Sequence, residues 1–260
     1  MADIPGFWKG GPHEPIAVEA AWREFVRSVG GSVVEELVGK QPVFENADFA
    51  FLQNGVVAEL KEIETEFSNS QTFKSRLETL VADIEKEQAD LPPLPADAEE
   101  NLSGHMQSRF VRLFRPQLAR ILKKANRQIR ETKAHFGIAS NTGILLLVND
   151  GFTSLSPLLI RAQVAELLVH SYTSIDCCIY LTVNRYVALR GSPEPVLLWA
   201  PVYSDRDPEW LIDFVNKLGS DWFAYLERTI GPFSSPIRES ENDVFLQGSH
   251  SILLPGENDG

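Results

Sequence analysis

Apolar residues recur along this chain with two periods, and the points where the period changes divide it into elements. Over residues 17–29, Val18, Trp22, Phe25 and Val29 fall three or four apart, the spacing of one face of a helix. Gly30-Gly31 interrupts the pattern, and residues 32–38 read as one or two further helical turns. Two short apolar-rich runs, 48–53 and 56–63, then flank Asn54-Gly55. An Asn-Gly pair between such runs is a strong local signal for a tight antiparallel hairpin. From 70 to 88, Phe73, Leu77, Leu80, Val81 and Ile84 return mostly to helical spacing, until Leu91-Pro92-Pro93-Leu94-Pro95 ends the segment. That proline-rich stretch and the acidic residues after it, to Glu100, read as a loop, so residues 66–104 look like a helical and Pro-rich insertion.

Beyond the insertion a helix starts afresh near Pro116, because proline is tolerated in a first turn and not in a helix interior. Its apolar stripe is Leu118, Ile121, Leu122, Ala125 and Ile129. Residues 143–149 then read as a buried strand, 158–169 as a helix, 175–183 and 196–202 as strands, and 209–229 as a final helix whose aromatic residues belong to the core. The tail from 234 is mostly polar and is expected to be loosely held. Strands alternating with helices give an α/β fold with a mixed sheet flanked by helices, in a single domain over residues 1–260.

Composition narrows the class. The chain has 260 residues, 43% apolar and 23% charged, enough for one large core. The longest aliphatic strand run, 144–148, is far too short to span a membrane. Met1-Ala2-Asp3-Ile4-Pro5 shows no basic region followed by an apolar one, so the expected compartment is the cytoplasm. Cys177 and Cys178 are adjacent and without metal-ligand spacing, and a reduced pair fits that compartment. No Gly-rich phosphate loop and no Gly-x-Ser-x-Gly elbow occur.

The hairpin carries the chemistry. Glu59 and Lys61, two apart on a strand, project from one face while Leu60 points to the other. With a two-residue turn at Asn54-Gly55, Gln53 lies opposite Val56 and Asp48 opposite Lys61. Two carboxylates and an amine then share one patch of sheet. Repulsion between the carboxylates is relieved by solvent or by a cation, and an oxygen-ligand set with positions left open for water and phosphate suits Mg²⁺ or Mn²⁺. A neighbouring lysine can orient the attacking water or stabilise charge developing on phosphorus. The bland alternative is an exposed Glu-x-Lys charge pair on an edge strand.

At these positions the chain resembles the PD-(D/E)XK nuclease superfamily, the restriction-endonuclease-like proteins. Asp48 stands where the family has its Asp, and Glu59-Leu60-Lys61 where it has (D/E)-X-K; Ala47 replaces the Pro. The resemblance implies an αβββαβ core, Mg²⁺ or Mn²⁺ held by Asp48 and Glu59, Lys61 serving the water, and phosphodiester hydrolysis in DNA or RNA. It also implies a further acidic residue upstream, for which Glu19, Glu24, Glu35 and Glu36 compete, and a Gln or Lys on the helix after the hairpin, which Gln128 or Lys124 could supply. The same fold also serves as a non-catalytic binding or assembly module acting through a nucleic-acid, protein or self partner.

Net charge changes the picture last. At −12 the chain is acidic, which by itself disfavours a nucleic-acid partner. Yet residues 105–135 hold nine basic residues against the single acidic Glu131, leaving 15 basic and 35 acidic residues elsewhere. Lys123, Lys124, Arg127, Gln128 and Arg130 lie off the apolar stripe and are the expected contacts to nucleic acid; the competing view is a solvated helix that balances an acidic body.

Overall fold

The structure is a computed structural model that describes residues 13–39, 42–89, 106, 108–137, 142–190, 194–204, 209–233 and 246–251. Its centre is a mixed six-stranded open sheet. In chain order the elements are α1 (Val18–Ser28), β1 (Ser32–Val33), α2 (Val34–Val38), β2 (Phe49–Phe51), β3 (Val56–Ile63), α3 (Gln71–Ala89) and α4 (Arg115–His135). The rest are β4 (Thr142–Asn149), α5 (Pro157–Ser171), β5 (Cys177–Leu181), β6 (Val187–Ala188), β7 (Trp199–Tyr203), α6 (Glu209–Ile230) and β8 (His250–Ser251). The sheet runs β1-β2-β3-β4-β5-β7, antiparallel at β1–β2, β2–β3 and β5–β7, parallel at β3–β4 and β4–β5. A second, two-stranded ladder joins β6 to β8. Among the described residues no helix is long and apolar enough to cross a membrane.

The two parallel pairs need crossovers, and α4 and α5 supply them. Each begins as its sequence dictates: Pro116 sits in the first turn of α4, and Ser156 caps α5, its hydroxyl accepting from Leu159 N, with Pro157 following. Strand β4 is buried along its whole length, as a central parallel strand covered on both faces must be. One face packs on α4 and α5 through Val57, Ile63, Leu118, Leu122, Ile129 and Leu145. The other packs on α1 and α6 through Val56, Ala58, Leu60, Trp22, Phe25 and Trp222. Trp22 and Trp222 stack there with ring centroids 4.3 Å apart.

Four expectations change in detail. Ser32–Val33 is a strand, not a helical turn: its pairing with β2 overrides the local pattern, and only Val34–Val38 is helical. Strand β2 is shorter than the run 48–53, because Leu52–Asn54 coils into a 3₁₀ turn that Gly55 closes in the left-handed region at φ 65°. Phe51 therefore faces Val56, the connection is four residues long, and Asp48 comes level with Glu59, not Lys61. A slip of two residues preserves the face on which each side chain lies. Trp210, expected in the core, is 43% exposed.

The insertion and the tail are tied to the body where they are described. Phe73 of α3 is buried against Phe114, and Glu66 accepts from Thr153 N at 2.8 Å and from the Ser154 hydroxyl at 2.8 Å. The Pro-rich part of the insertion, within 90–105, lies outside the described residues. In the stretch expected to be loosely held, Leu246 is buried and β8 pairs with β6; 234–245 and 252–260 are not described.

One close approach makes the crossover geometry testable. A Cβ on Gly143 would lie 1.9 Å from the Ser174 carbonyl oxygen and 2.7 Å from Ile129 Cγ2. Gly143→Ala is therefore expected to destabilise by about 1–3 kcal/mol in urea denaturation, as forced overpacking does; an unchanged midpoint would refute this packing.

Candidate metal and phosphate site on the central hairpin

Helix α4 fixes the short segment that delivers Asp48. Ala47 N donates to Thr132 Oγ1 at 2.7 Å, Glu45 N to Glu131 Oε2 at 2.8 Å, and Gln128 Nε2 to the Asn46 carbonyl at 3.0 Å. Held at its upstream side, the half-buried Asp48 accepts from Leu60 N through Oδ2 at 2.8 Å. Strand alternation sets Glu59 and Lys61 on the same face, where Lys61 Nζ pairs with Glu59 Oε1.

The electrostatics are unusual for a structural ion pair. Glu59 is fully buried, and its second oxygen, Oε2, has no donor. The Asp48 carboxyl lies within hydrogen-bonding reach of the Glu59 carboxyl, but both are acceptors, so the contact bonds only when one of them holds a proton. Burial, followed by the charge of Asp48, pushes the Glu59 carboxyl up to about 8. Burial likewise raises Asp48, opposed by the Leu60 N–H and the Lys61 charge. The arrangement lacks one positive charge.

Of the four upstream acids, Glu19 is the one whose charge acts on Asp48. Glu24 accepts from the Tyr225 hydroxyl, Glu36 pairs with Arg27, and Glu35 pairs with Arg23, which also binds Glu19. Among the described residues no group of three or more His, Cys, Asp or Glu side chains is arranged to hold a metal ion. Asp48 and Glu59 alone thus offer two carboxylates, with the remaining positions of a cation left to water, backbone or phosphate oxygens.

The basic segment divides when seen in three dimensions. Lys133 is buried, its Nζ 3.2 Å from the Ser174 carbonyl and 3.4 Å from Asp176 Oδ2. Arg109 pairs with Glu87, and Arg115 with Glu166. Arg127 pairs with Glu45, while Lys123, Lys124 and Arg130 are exposed. Gln128, expected at the site, spends its amide nitrogen on Asn46 and leaves a buried Oε1 without a donor. It braces the segment that leads into Asp48.

A second carboxylate group is one that the sequence reading does not reach. Glu62 alternates to the opposite face of β3, where burial, then Asp150, Glu64 and Glu19, push its carboxyl up to about 7. Asp150 itself accepts from Val183 N and Asn184 N, at 3.0 and 3.1 Å. The only signal is positional: Glu62 next to Lys61 must point away from it, and Asp150 directly follows β4.

No family model, no curated protein and no solved structure matches this chain.

The raised Glu59 carboxyl has a pH signature. Its ordinary value is 4.5 and its folded value about 8, so between those values the folded chain holds a proton that the unfolded chain has released. Stability contributed by the protonated form is present below pH 4.5 and is lost as pH rises through about 8, a tenfold difference in proton affinity between the two states being worth about 1.4 kcal/mol. Glu59→Gln, which keeps the shape and removes the titration, is expected to lose less stability than the wild type between pH 5 and pH 8.5 in urea denaturation. Equal losses in the two proteins would show that Glu59 does not carry the effect.

Proposed function

We propose that the chain is a metal-dependent nuclease of the PD-(D/E)XK kind that hydrolyses phosphodiester bonds, with DNA as its substrate. The observation that carries this reading is the meeting of Asp48, Glu59 and Lys61 on one face of the hairpin, with the Glu59 Oε2 buried and without a donor. The order of elements supports it. With the short α2 set between β1 and β2 and α3 set between β3 and α4, helix α1, the antiparallel β1-β2-β3, the crossover α4 and the parallel β4 come in the order αβββαβ.

Asp48 and Glu59 would hold Mg²⁺ or Mn²⁺, and their shared deficit of one positive charge is what a divalent cation removes. When bound, the ion supplies Lewis acidity toward a phosphoryl oxygen and lowers the pKa of a coordinated water. The protein's own groups do the rest. The Leu60 N–H holds Asp48 in one orientation. Glu59 Oε1 fixes the Lys61 ammonium at the rim, where Nζ can donate to the attacking water or to a phosphate oxygen as charge develops.

One observation favours a second reading, the non-catalytic module. The Glu59 side chain is fully buried, so substrate cannot reach it without local opening around the hairpin. In that reading Glu59 and Lys61 stay closed and the fold only binds nucleic acid or another protein.

Cleavage of plasmid, linear duplex and single-stranded DNA with Mg²⁺ or Mn²⁺, against an EDTA control, separates the two. Lys61→Ala is expected to lower cleavage by about 100-fold or more, the cost of removing one charge-stabilising donor. It should keep the metal-induced rise in melting temperature. Asp48→Ala should lose both cleavage and that rise, which at a hundredfold excess of metal over its dissociation constant corresponds to about 2.7 kcal/mol. Cleavage that survives Lys61→Ala would place the chemistry elsewhere, and metal-independent binding without cleavage would establish the second reading.

A further inference from the structure

Helix α4 has two working flanks with exposed cations between them, of which Arg127 is turned to the first, where it pairs with Glu45 and lies 4.0 Å from Glu131. On one side Gln128 and Glu131 contact the 45–46 segment. On the other, the Ala119 carbonyl accepts from the Tyr172 hydroxyl at 3.0 Å, and Asn126 Oδ1 accepts from Ser174 N at 2.8 Å. Between that second flank and the end of α5 lies an open-sided groove of about 490 Å³, lined by Arg120, Lys123, Lys124, Arg127, Arg130 and Tyr172. Among the described residues no carboxylate lies within ion-pair distance of Arg120, Lys123 or Lys124, and Arg130 meets only Glu131, at 3.9 Å. In an acidic chain, this is a concentrated positive surface.

We infer that this groove is a separate phosphodiester-backbone subsite, which grips nucleic acid on the flank of α4 away from the Asp48–Glu59–Lys61 hairpin. Its length decides the class of ligand. Arg120, Lys123 and Lys124 lie at one end of the stripe and Arg130 at the other, so at about 1.5 Å per residue it runs about 15 Å. One strand of a duplex places a phosphate about every 3.4 Å along the axis, so the stripe spans about four phosphates. A single phosphate would leave most of those cations without an anion. Contacts from these side chains to phosphates carry no sequence information, so the subsite positions nucleic acid and leaves the bases unread.

The inference rests on the nucleic-acid half of the proposed function and not on cleavage, and the test keeps them apart. Binding of a labelled 20-base-pair duplex is followed by fluorescence anisotropy over a salt series, in EDTA and in the Lys61→Ala background, so that hydrolysis plays no part. Arg120→Ala combined with Lys123→Ala is expected to weaken binding tenfold or more and to reduce the log–log salt slope by about 0.9 for each contact removed. Lys74→Ala combined with Arg76→Ala removes the same charge from the exposed side of α3 and should leave the slope unchanged. Equal effects from the two pairs would overturn the subsite in favour of a diffuse field. So would absence of duplex binding by the starting protein, or inorganic triphosphate displacing the duplex at concentrations near those of the protein, which would mark a small-polyphosphate pocket instead.

Discussion

The rest of the structure is arranged around one carboxylate that water cannot reach. Glu59 sits in the central hairpin with no exposed surface, beside a second carboxylate and with one oxygen lacking a donor. Removing an ion from water costs several kcal/mol even after relaxation, so the surroundings must either neutralise Glu59 or pair it. They do part of each. Lys61 pairs one oxygen, the Leu60 N–H holds Asp48 in place, and the raised Glu59 pKa lets a proton stand in for a missing cation. An apolar residue at 59 would pack there with less penalty. The sheet therefore carries a local cost that serves no purpose in folding, which is the reason to look for chemistry at this point.

How this can be seen from sequence depends on a parity. Because a strand has period two, Glu59 and Lys61 share a face whatever the register, and Asp48 joins them for any even offset of the hairpin. The expected two-residue turn gives way to a longer one, since Leu52–Asn54 coils and Gly55 ends the turn, but the resulting shift is two. The face survives, and only the opposite number of Asp48 changes. Long periodic elements such as β3, β4 and α6 are legible for a related reason: each repeats one pattern over many residues. Ser32–Val33 is not legible. Two residues carry no period, and its strand state is imposed by β2 from across the ladder.

Electrostatics are the least legible part, because a list of charges carries no directions. Nine basic residues in one segment read as one field, yet Lys133 turns inward to Asp176, Arg109 and Arg115 close ion pairs with other helices, and Arg127 clamps Glu45. What stays open to solvent is a narrower stripe on one side of α4. Beside that stripe on the same helix, Gln128, Glu131 and Thr132 hold the backbone that presents Asp48. One helix thus joins two tasks that its sequence interleaves every three or four residues.

That sharing has a mechanical consequence. Glu59 is closed over, so a substrate phosphate can meet the carboxylate pair only if the hairpin and the 45–47 segment separate locally from their neighbours. The hydrogen bonds that resist separation come from α4: Thr132 to Ala47, Glu131 to Glu45 and Gln128 to Asn46. Under the proposed function, a polyanion on the outer flank of α4 would act on the same helix that makes those bonds, so binding there and exposure of Glu59 would be linked wherever that helix shifts. Linkage of this kind is reciprocal. If such a shift accompanies opening, deprotonation at higher pH or a cation taking the place of the proton would also alter affinity at the outer flank.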